Sequence, residues 1–444
     1  MAVVGKLRGW DRTVPTPAVD WTKTVVDVVV PAKNEEQTIA LALASLVRQD
    51  FSIRDIIVFD DASTDSTGAV VRSYSEKAGR AVKLVTRPKS IGKTPALREY
   101  CETSDADALV ILDADTVLAS PNYVSRLIEE LFRNAGVAAS CGEVMPLTLR
   151  RRKQLVEGDA GVKAVWEEFR LTPPGGESFW LRLATTATIL YRTPMYVLLQ
   201  RVLYDGNLKL FGAQLNPVGC AVAYKTDRLR ACFAYAQPRV GDNLSMSEDI
   251  YIGHFFNWKG WRSVQILGVR CESTEPPIHR LPRQLFLWSS GMLQSSYYFL
   301  DLPLTPWLYF RRLLAGDVGN AEQAPQARLI QEQYRAPWGE NITHKRGRGI
   351  GWFESISLVE KTMYPPVLAY FAVFDREVFW LTLAAETVLG MGLLAVTADR
   401  GSRWKYAAMM VPALPVRVMS LGVDTFAIVH CLIDIASGNR RWRK

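Results

Sequence analysis

Leu109-Val110-Ile111-Leu112-Asp113-Ala114-Asp115-Thr116 decides how the rest of the chain is read. Four apolar residues run directly into two carboxylates one residue apart. A short apolar run rich in β-branched residues marks a strand buried on both faces. The acids then stand at its C-terminal end, the edge where open α/β sheets bind ligands. Carboxylates at i and i+2 past such an end can turn towards one hard cation, Mg²⁺ or Mn²⁺, leaving coordination positions for phosphate oxygens. The same pair also occurs as two solvated acids in a turn.

Working outward, Val25–Val30 reads as a strand that Pro31-Ala32-Lys33-Asn34-Glu35-Glu36 breaks, opening a helix to about Gln49. Ile56–Phe59 is a second strand, ending in Asp60-Asp61-Ala62-Ser63-Thr64-Asp65-Ser66-Thr67, whose hydroxyls and acids suit a helix cap. Val82–Val85 is a third, followed by Gly92-Lys93 and another helix. Strand ends recurring about every thirty residues give the βαβ rhythm of a parallel, doubly wound α/β sheet. Polar clusters after the first, second and fourth strands should therefore meet along one edge.

Further on, Arg150-Arg151-Arg152-Lys153 reads as a solvated basic loop, and Tyr191–Phe211 carries apolar residues at helical spacing that suit core packing or a membrane-surface helix. Asn216–Tyr224 and Val264–Val269 are strand-like. Between them Ser247-Glu248-Asp249 places a second pair of acids at a helix N-terminus, where the helix dipole favours them. Arg283–Trp288 opens an aromatic-rich segment reaching Phe310, fit for a sugar-stacking floor or a membrane-interface belt.

The 444 residues leave room for two or three domains, and the apolar excess within the 48% hydrophobic content gathers near the C-terminus. Ile356–Phe374 and Val378–Ala398 are long enough to span a bilayer, joined by Asp375-Arg376-Glu377; Tyr406–Ala436 reads as a span or a re-entrant hairpin. Lys345–Arg348, Arg400–Lys405 and Arg440–Lys444 are basic, and the positive-inside rule puts all three on the cytosolic side. Two spans followed by a returning hairpin satisfy that. Glu360, Lys361, Glu386 and Asp424 are costly in lipid and argue instead for buried core helices. The expected division is an extension over 1–22, a catalytic α/β domain over 23–283, an interface segment over 284–350 and membrane helices over 351–444.

Met1–Thr22 has charges and prolines where a signal peptide carries its apolar core, so the first domain is expected in the cytosol, at the cell membrane. Six cysteines with no CxxC spacing read as reduced thiols, and four histidines with no paired spacing argue against zinc. The net charge of +8 at pH 7 suits nucleic acid, anionic lipid or phosphorylated substrates. Because the basic residues flank the apolar tail and no nucleic-acid motif is visible, the lipid bilayer is the expected partner and nucleic acid is not.

Together these pieces resemble the family 2 glycosyltransferases of GT-A fold, the group of hyaluronan, chitin and cellulose synthases. The likeness covers roughly residues 25 to 300, and more loosely the tail. The family's Pro-x-x-Asn-Glu opening is similar to Pro31–Glu35, and its Asp-Asp-Gly-Ser-x-Asp turn to Asp60–Asp65, with Ala62 where glycine is usual. Gly92-Lys93, Asp113/Asp115, Ser247-Glu248-Asp249 and Gln284–Trp288 match its remaining motifs in order. The resemblance implies a doubly wound, Rossmann-like mixed sheet followed by membrane helices. It implies a nucleotide-sugar donor, expected to be a UDP-sugar, held by Pro31, Ala32, Asn34, Glu35, Asp60, Asp61, Lys93 and Asp113. Asp113 and Asp115 would hold Mg²⁺ or Mn²⁺, Asp249 would be the general base, and Glu248, Gln284 and Trp288 would meet a carbohydrate or glycolipid acceptor. Inversion at the anomeric carbon would give a β-linked product. Leu287 stands where the family has arginine, with Arg283 or Arg280 as the expected substitute. A single-sugar transferase to a lipid phosphate and a non-catalytic nucleotide-sugar-binding protein are the competing readings.

Overall fold

The computed structural model describes residues 2–8, 20–134, 136–241, 247–316, 343–345 and 347–438. Most of the expected N-terminal extension, positions 317–342 of the interface segment, Arg346 and the basic Arg440–Lys444 lie outside the described residues.

Eight strands form one sheet: β1 Val26–Ala32, β2 Asp55–Asp60, β3 Lys83–Thr86, β4 Ala108–Leu112, β5 Thr116–Leu118, β6 Val137–Pro146, β7 Ala221–Lys225 and β8 Arg262–Ser273. Their order is β3-β2-β1-β4-β7-β6-β8-β5. The first four are parallel, as the βαβ rhythm requires. β7 then inserts antiparallel to both β4 and β6, β6 runs parallel to β8, and β5 closes the edge antiparallel to β8. The sheet is therefore mixed. Every residue of β4 is buried; Ala108, Val110 and Leu112 face one core cluster, Leu109 and Ile111 the other. Two-sided burial explains why no polar residue appears until the strand ends.

One local expectation is corrected. β1 continues through Pro31 and Ala32, and the following helix begins only at Ile39. Beyond Val29, whose β4 partner is Ile111, β1 pairs with β2 alone, so the donor missing at Pro31 is tolerable. The residues between become a turn, and that frees Asn34 and Glu35 from helical geometry.

Helix Phe179–Leu198 continues through a π turn, Leu199–Tyr204, into helix Asp205–Phe211. Helix Leu281–Tyr298 carries the Gln284–Trp288 motif. The tail comprises helices Gly349–Phe374, Arg376–Thr397, Arg403–Met409 and Leu414–Ala436. Among the described residues, Arg376–Thr397 and Leu414–Ala436 are long and apolar enough to cross a membrane. The first expected span is not among them. Its helix holds Glu354, Glu360, Lys361 and two internal prolines, and its start is buried, Ile350 and Phe353 packing with Leu215.

Charged residues within the tail find partners across helices. Arg417 pairs with Glu386 at 2.7 Å, and Glu386 accepts from Tyr364 at 2.8 Å. Lys361 lies 3.3 Å from Asp424, which also accepts from Ser289. Such pairing is how ionisable groups are tolerated away from water. The loop after Thr397 returns to the catalytic domain, where Asp399 pairs with Arg201 of the π turn at 2.9 Å and with Arg270 of β8 at 3.6 Å.

Candidate active site

The turns that follow β1 and β2 are knitted together by side chains. Asn34 N–H donates to Ser63 Oγ at 2.9 Å, while Asn34 Oδ1 accepts from Thr64 N–H at 2.8 Å. Glu35 N–H donates to Thr67 Oγ1 at 2.8 Å, and Glu36 Oε2 accepts from Ser66 N–H at 2.9 Å. Among the described residues only Asn34, Ala62, Arg170 and Ser247 have positive φ without being glycine, and three of these lie in the candidate site. Ala62, where the resembled family has glycine, sits at φ +59°. For an L-residue other than glycine that conformation costs about 1–2 kcal/mol, so the backbone here is held by its neighbours.

Asp60 is buried and closes its own turn by accepting from Ser63 N–H at 2.9 Å. Asp61 reaches across to the loop before Lys93. It accepts from Ser90 Oγ at 2.6 Å, Ile91 N–H at 2.8 Å and Gly92 N–H at 3.0 Å. Burial pushes its carboxyl up, but these donors outweigh burial and hold it below the ordinary aspartate value. Asp61 thus orders the loop that delivers Lys93.

Lys93 is the cation around which the acids gather. Its Nζ lies 2.7 Å from Asp113 and 2.7 Å from Glu248. Burial opposes its charge, yet Asp113 and Glu248 prevail and hold its pKa well above the usual lysine value. Asp115, one residue past Ala114, is pushed up to about 8 by burial, then by Asp113 and Glu35. Glu35 is itself raised, by burial and by Asp113 and Asp65, against the hydrogen bond from Thr38. This edge carries more negative charge than its own cation balances, and its donors are hard carboxylate oxygens, so the residues fit a divalent ion. Among the described residues no three histidine, cysteine, aspartate or glutamate side chains are grouped to hold a metal by themselves. A cation here would complete its shell with water and diphosphate oxygens, the usual habit of Mg²⁺.

Asp249 is the second residue of helix Glu248–Lys259, whose N-cap Ser247 sits at φ +60°. Its Oδ2 accepts from Gly219 N–H at 3.2 Å, and a Cβ on Gly219 would lie 2.6 Å from that oxygen, so only glycine fits. Burial first, and Glu248 second, push the Asp249 carboxyl up to about 7, against the pull of Lys93. Cys220 O accepts from Asp113 N–H at 2.8 Å, so the segment leading into β7 joins the two acid pairs.

Gln284 and Trp288 meet a guanidinium from an unexpected element. Arg192, in the middle of helix Phe179–Leu198 and 2% exposed, donates to Gln284 Oε1 at 2.7 Å and to Tyr196 OH at 3.1 Å. It pairs with the buried Glu275 at 2.5 Å, and its Cζ stands 4.5 Å from the centre of the Trp288 ring. One face of Trp288 is therefore covered by Arg192. Arg280 and Arg283, the expected substitutes for the missing arginine, are exposed. Glu275 lies just past the end of β8, where Thr274 N–H donates to Asp115 O at 3.0 Å. Sequence reasoning missed Arg192, Glu275 and Gly219; the available signal was an arginine set between Tyr191 and Tyr196 in the middle of a largely apolar helix.

A family model described as "Glycosyl transferase family 2" matches residues 27–171. A probable glycosyltransferase of Bacillus subtilis is 28% identical over 164 residues, 36% of this chain and 38% of the relative. A 4,4'-diaponeurosporenoate glycosyltransferase of Staphylococcus aureus is 30% identical over 115 residues, 26% of this chain and 30% of the relative. An N-acetylglucosaminyltransferase of Mesorhizobium japonicum is 33% identical over 122 residues, 27% of this chain and 28% of the relative. The likeness thus spans between 28% and 38% of the length of these curated relatives. Among solved structures, a mannosyltransferase of Pyrobaculum calidifontis in complex with GDP-Man and Mn²⁺ aligns over 93% of this chain and 91% of its own, at 17% identity and a TM-score of 0.45.

Proposed function

We propose, on the premise that residues 27–171 are a family 2 glycosyltransferase domain, that the whole chain is a membrane-associated inverting glycosyltransferase. It would take a sugar from a nucleotide donor, a UDP-sugar, and form a β-glycosidic bond on a polysaccharide or glycolipid acceptor at the cytosolic face. The observation that carries this reading is the meeting of both acid pairs on Lys93, 2.7 Å from Asp113 and 2.7 Å from Glu248. Acids 135 positions apart in sequence share one edge, as a donor on one side and an acceptor on the other require.

The roles we assign are these. Asn34, Glu35 and Asp61 shape the pocket for the nucleoside, with Pro31, Ala32 and Asp60 holding its turns, and Lys93 sets a positive charge beside the donor. Asp113 and Asp115 would hold Mg²⁺ or Mn²⁺, which when bound neutralises charge on the departing nucleoside diphosphate. Glu248 is engaged by Lys93, so Asp249 is the better base. The acceptor oxygen forms its bond to the anomeric carbon as the bond to diphosphate breaks, and its proton passes to Asp249. Gln284 and Trp288 border the acceptor side.

A second reading, transfer of a single sugar to a lipid, is favoured by Leu287 and by Arg192 covering one face of Trp288, which leaves less aromatic surface for a growing sugar chain. The similar protein of Staphylococcus aureus is named for glycosylating 4,4'-diaponeurosporenoate, which accords with that alternative. Release of nucleoside diphosphate from a panel of nucleotide sugars, by detergent-purified protein with Mg²⁺, Mn²⁺ or EDTA, tests the proposal. Turnover of one donor that stops with EDTA is expected. Neither turnover nor calorimetric binding of any donor would overturn it.

A further inference from the structure

Helix Phe179–Leu198 begins with side chains that the fold leaves in water. Phe179, Trp180, Leu181 and Leu183 are 62%, 74%, 41% and 51% exposed, and Leu149, beside the Gly175 turn, is 41% exposed. Arg150 and Arg182 are exposed among them and enter no ion pair among the described residues. The rest of the basic run is spent internally: Arg151 pairs with Glu272 at 3.2 Å, Arg152 with Glu177 at 3.0 Å and Lys153 with Glu157 at 3.8 Å. Bulky apolar groups in water, flanked by uncompensated arginines, have the chemistry of a segment that lies in a headgroup layer.

Two connections give the patch a direction. Arg152, which holds Glu177 two residues before Phe179, also donates to Gln37 O at 3.3 Å, so the patch is tied to the Asn34–Gln37 turn on the donor edge. At the other end of the helix Val197 packs with Leu394 and Ala407, and Leu198 with them, on the apolar tail. From Trp180 to Leu198 is about 27 Å along a helix, so one continuous helix joins the donor edge to the tail helices.

We propose that Leu149, Phe179, Trp180, Leu181 and Leu183, with Arg150 and Arg182, dock on an anionic bilayer leaflet and hold the catalytic edge against the membrane surface. The inference rests on the membrane association proposed above and adds a second contact, on the catalytic domain itself. An acceptor whose apolar part stays in the leaflet would then reach the site without leaving the membrane.

The test uses the full chain in vesicles of three parts phosphatidylcholine to one part phosphatidylglycerol, with acyl-chain spin labels as quenchers. An environment-sensitive fluorophore is placed at Leu183→Cys, at Leu389→Cys in the apolar tail, and at Arg72→Cys on the exposed face of helix Thr67–Ala78, with the unsubstituted chain as the labelling blank. Quenching at position 183 at least half as strong as at 389, with none at 72, is expected. Adding Arg150→Glu and Arg182→Glu should at least halve the quenching at 183 in these vesicles and leave it unchanged in pure phosphatidylcholine. Strong quenching at 389 with position 183 behaving like position 72 overturns this inference and leaves the membrane reading standing. Absence of quenching at 389 as well overturns both.

Discussion

Removing Arg192 is the most informative single perturbation. Its guanidinium joins helix Phe179–Leu198 to Glu275 at 2.5 Å and to Gln284 at 2.7 Å, all behind the acid edge. Arg192→Met leaves Glu275, 3% exposed, without its countercharge. Breaking one side of a buried pair costs about 3–5 kcal/mol. At about 2 °C per kcal/mol for a domain of this size, the melting midpoint should fall by about 6–10 °C. Glu275 is already raised by burial, against the pull of Arg192. Without Arg192 its folded pKa rises further above the unfolded value, so the folded state is penalised most at high pH. The deficit of Arg192→Met should therefore shrink on acidification, as Glu275 takes up a proton. Glu275→Gln alone should be comparably destabilising, because it strands the arginine. The double variant Arg192→Met/Glu275→Gln should recover about 2 kcal/mol or more relative to the sum of the singles. Arg192→Lys should fall between, since an ammonium cannot reproduce the planar fork. Thermal melts in detergent at several pH values read all of this. Single substitutions that each cost under about 1 kcal/mol and add without coupling would refute the idea that this pair holds the acceptor side in place.

Three further outcomes follow from the site. Asp249→Asn should lower turnover by about 10²–10⁴-fold with the calorimetric donor affinity unchanged, and loss of donor affinity would remove Asp249 from the role of base. Because the base must be ionised and its carboxyl is pushed up to about 7, the wild-type rate should climb with pH to about 7 and level above it; a flat profile between about pH 5 and 8 would contradict this. Ala62→Gly should raise stability by up to about 1 kcal/mol, the left-handed strain relieved less the extra chain entropy of glycine, and a lower melting midpoint would show that Ala62 is not strained.

Local pattern was enough for the first half of the sheet. Leu109–Leu112 had to be a two-sided strand because nothing polar interrupts it, and the polar turns after β1, β2 and β4 then had to share an edge because parallel strands end on the same side. The motif acids were legible from local pattern as well: Asp113 and Asp115 follow directly on β4, while Glu248 and Asp249 open a helix behind Ser247. The antiparallel insertion of β7 between β4 and β6 was not, because strand order depends on which distant surfaces pack, and pairing partners leave no trace in either segment alone. Neither was the extension of the first tail helix back to Gly349, which brings Ile350 and Phe353 against Leu215. Arg192 is the clearest case. An arginine in a largely apolar helix carries the same letters whether, like Arg182, it stays in water or, like Arg192, it is sealed against a carboxylate, and only the folded neighbours, Glu275 from the end of β8 and Gln284 and Trp288 from another helix, decide between them.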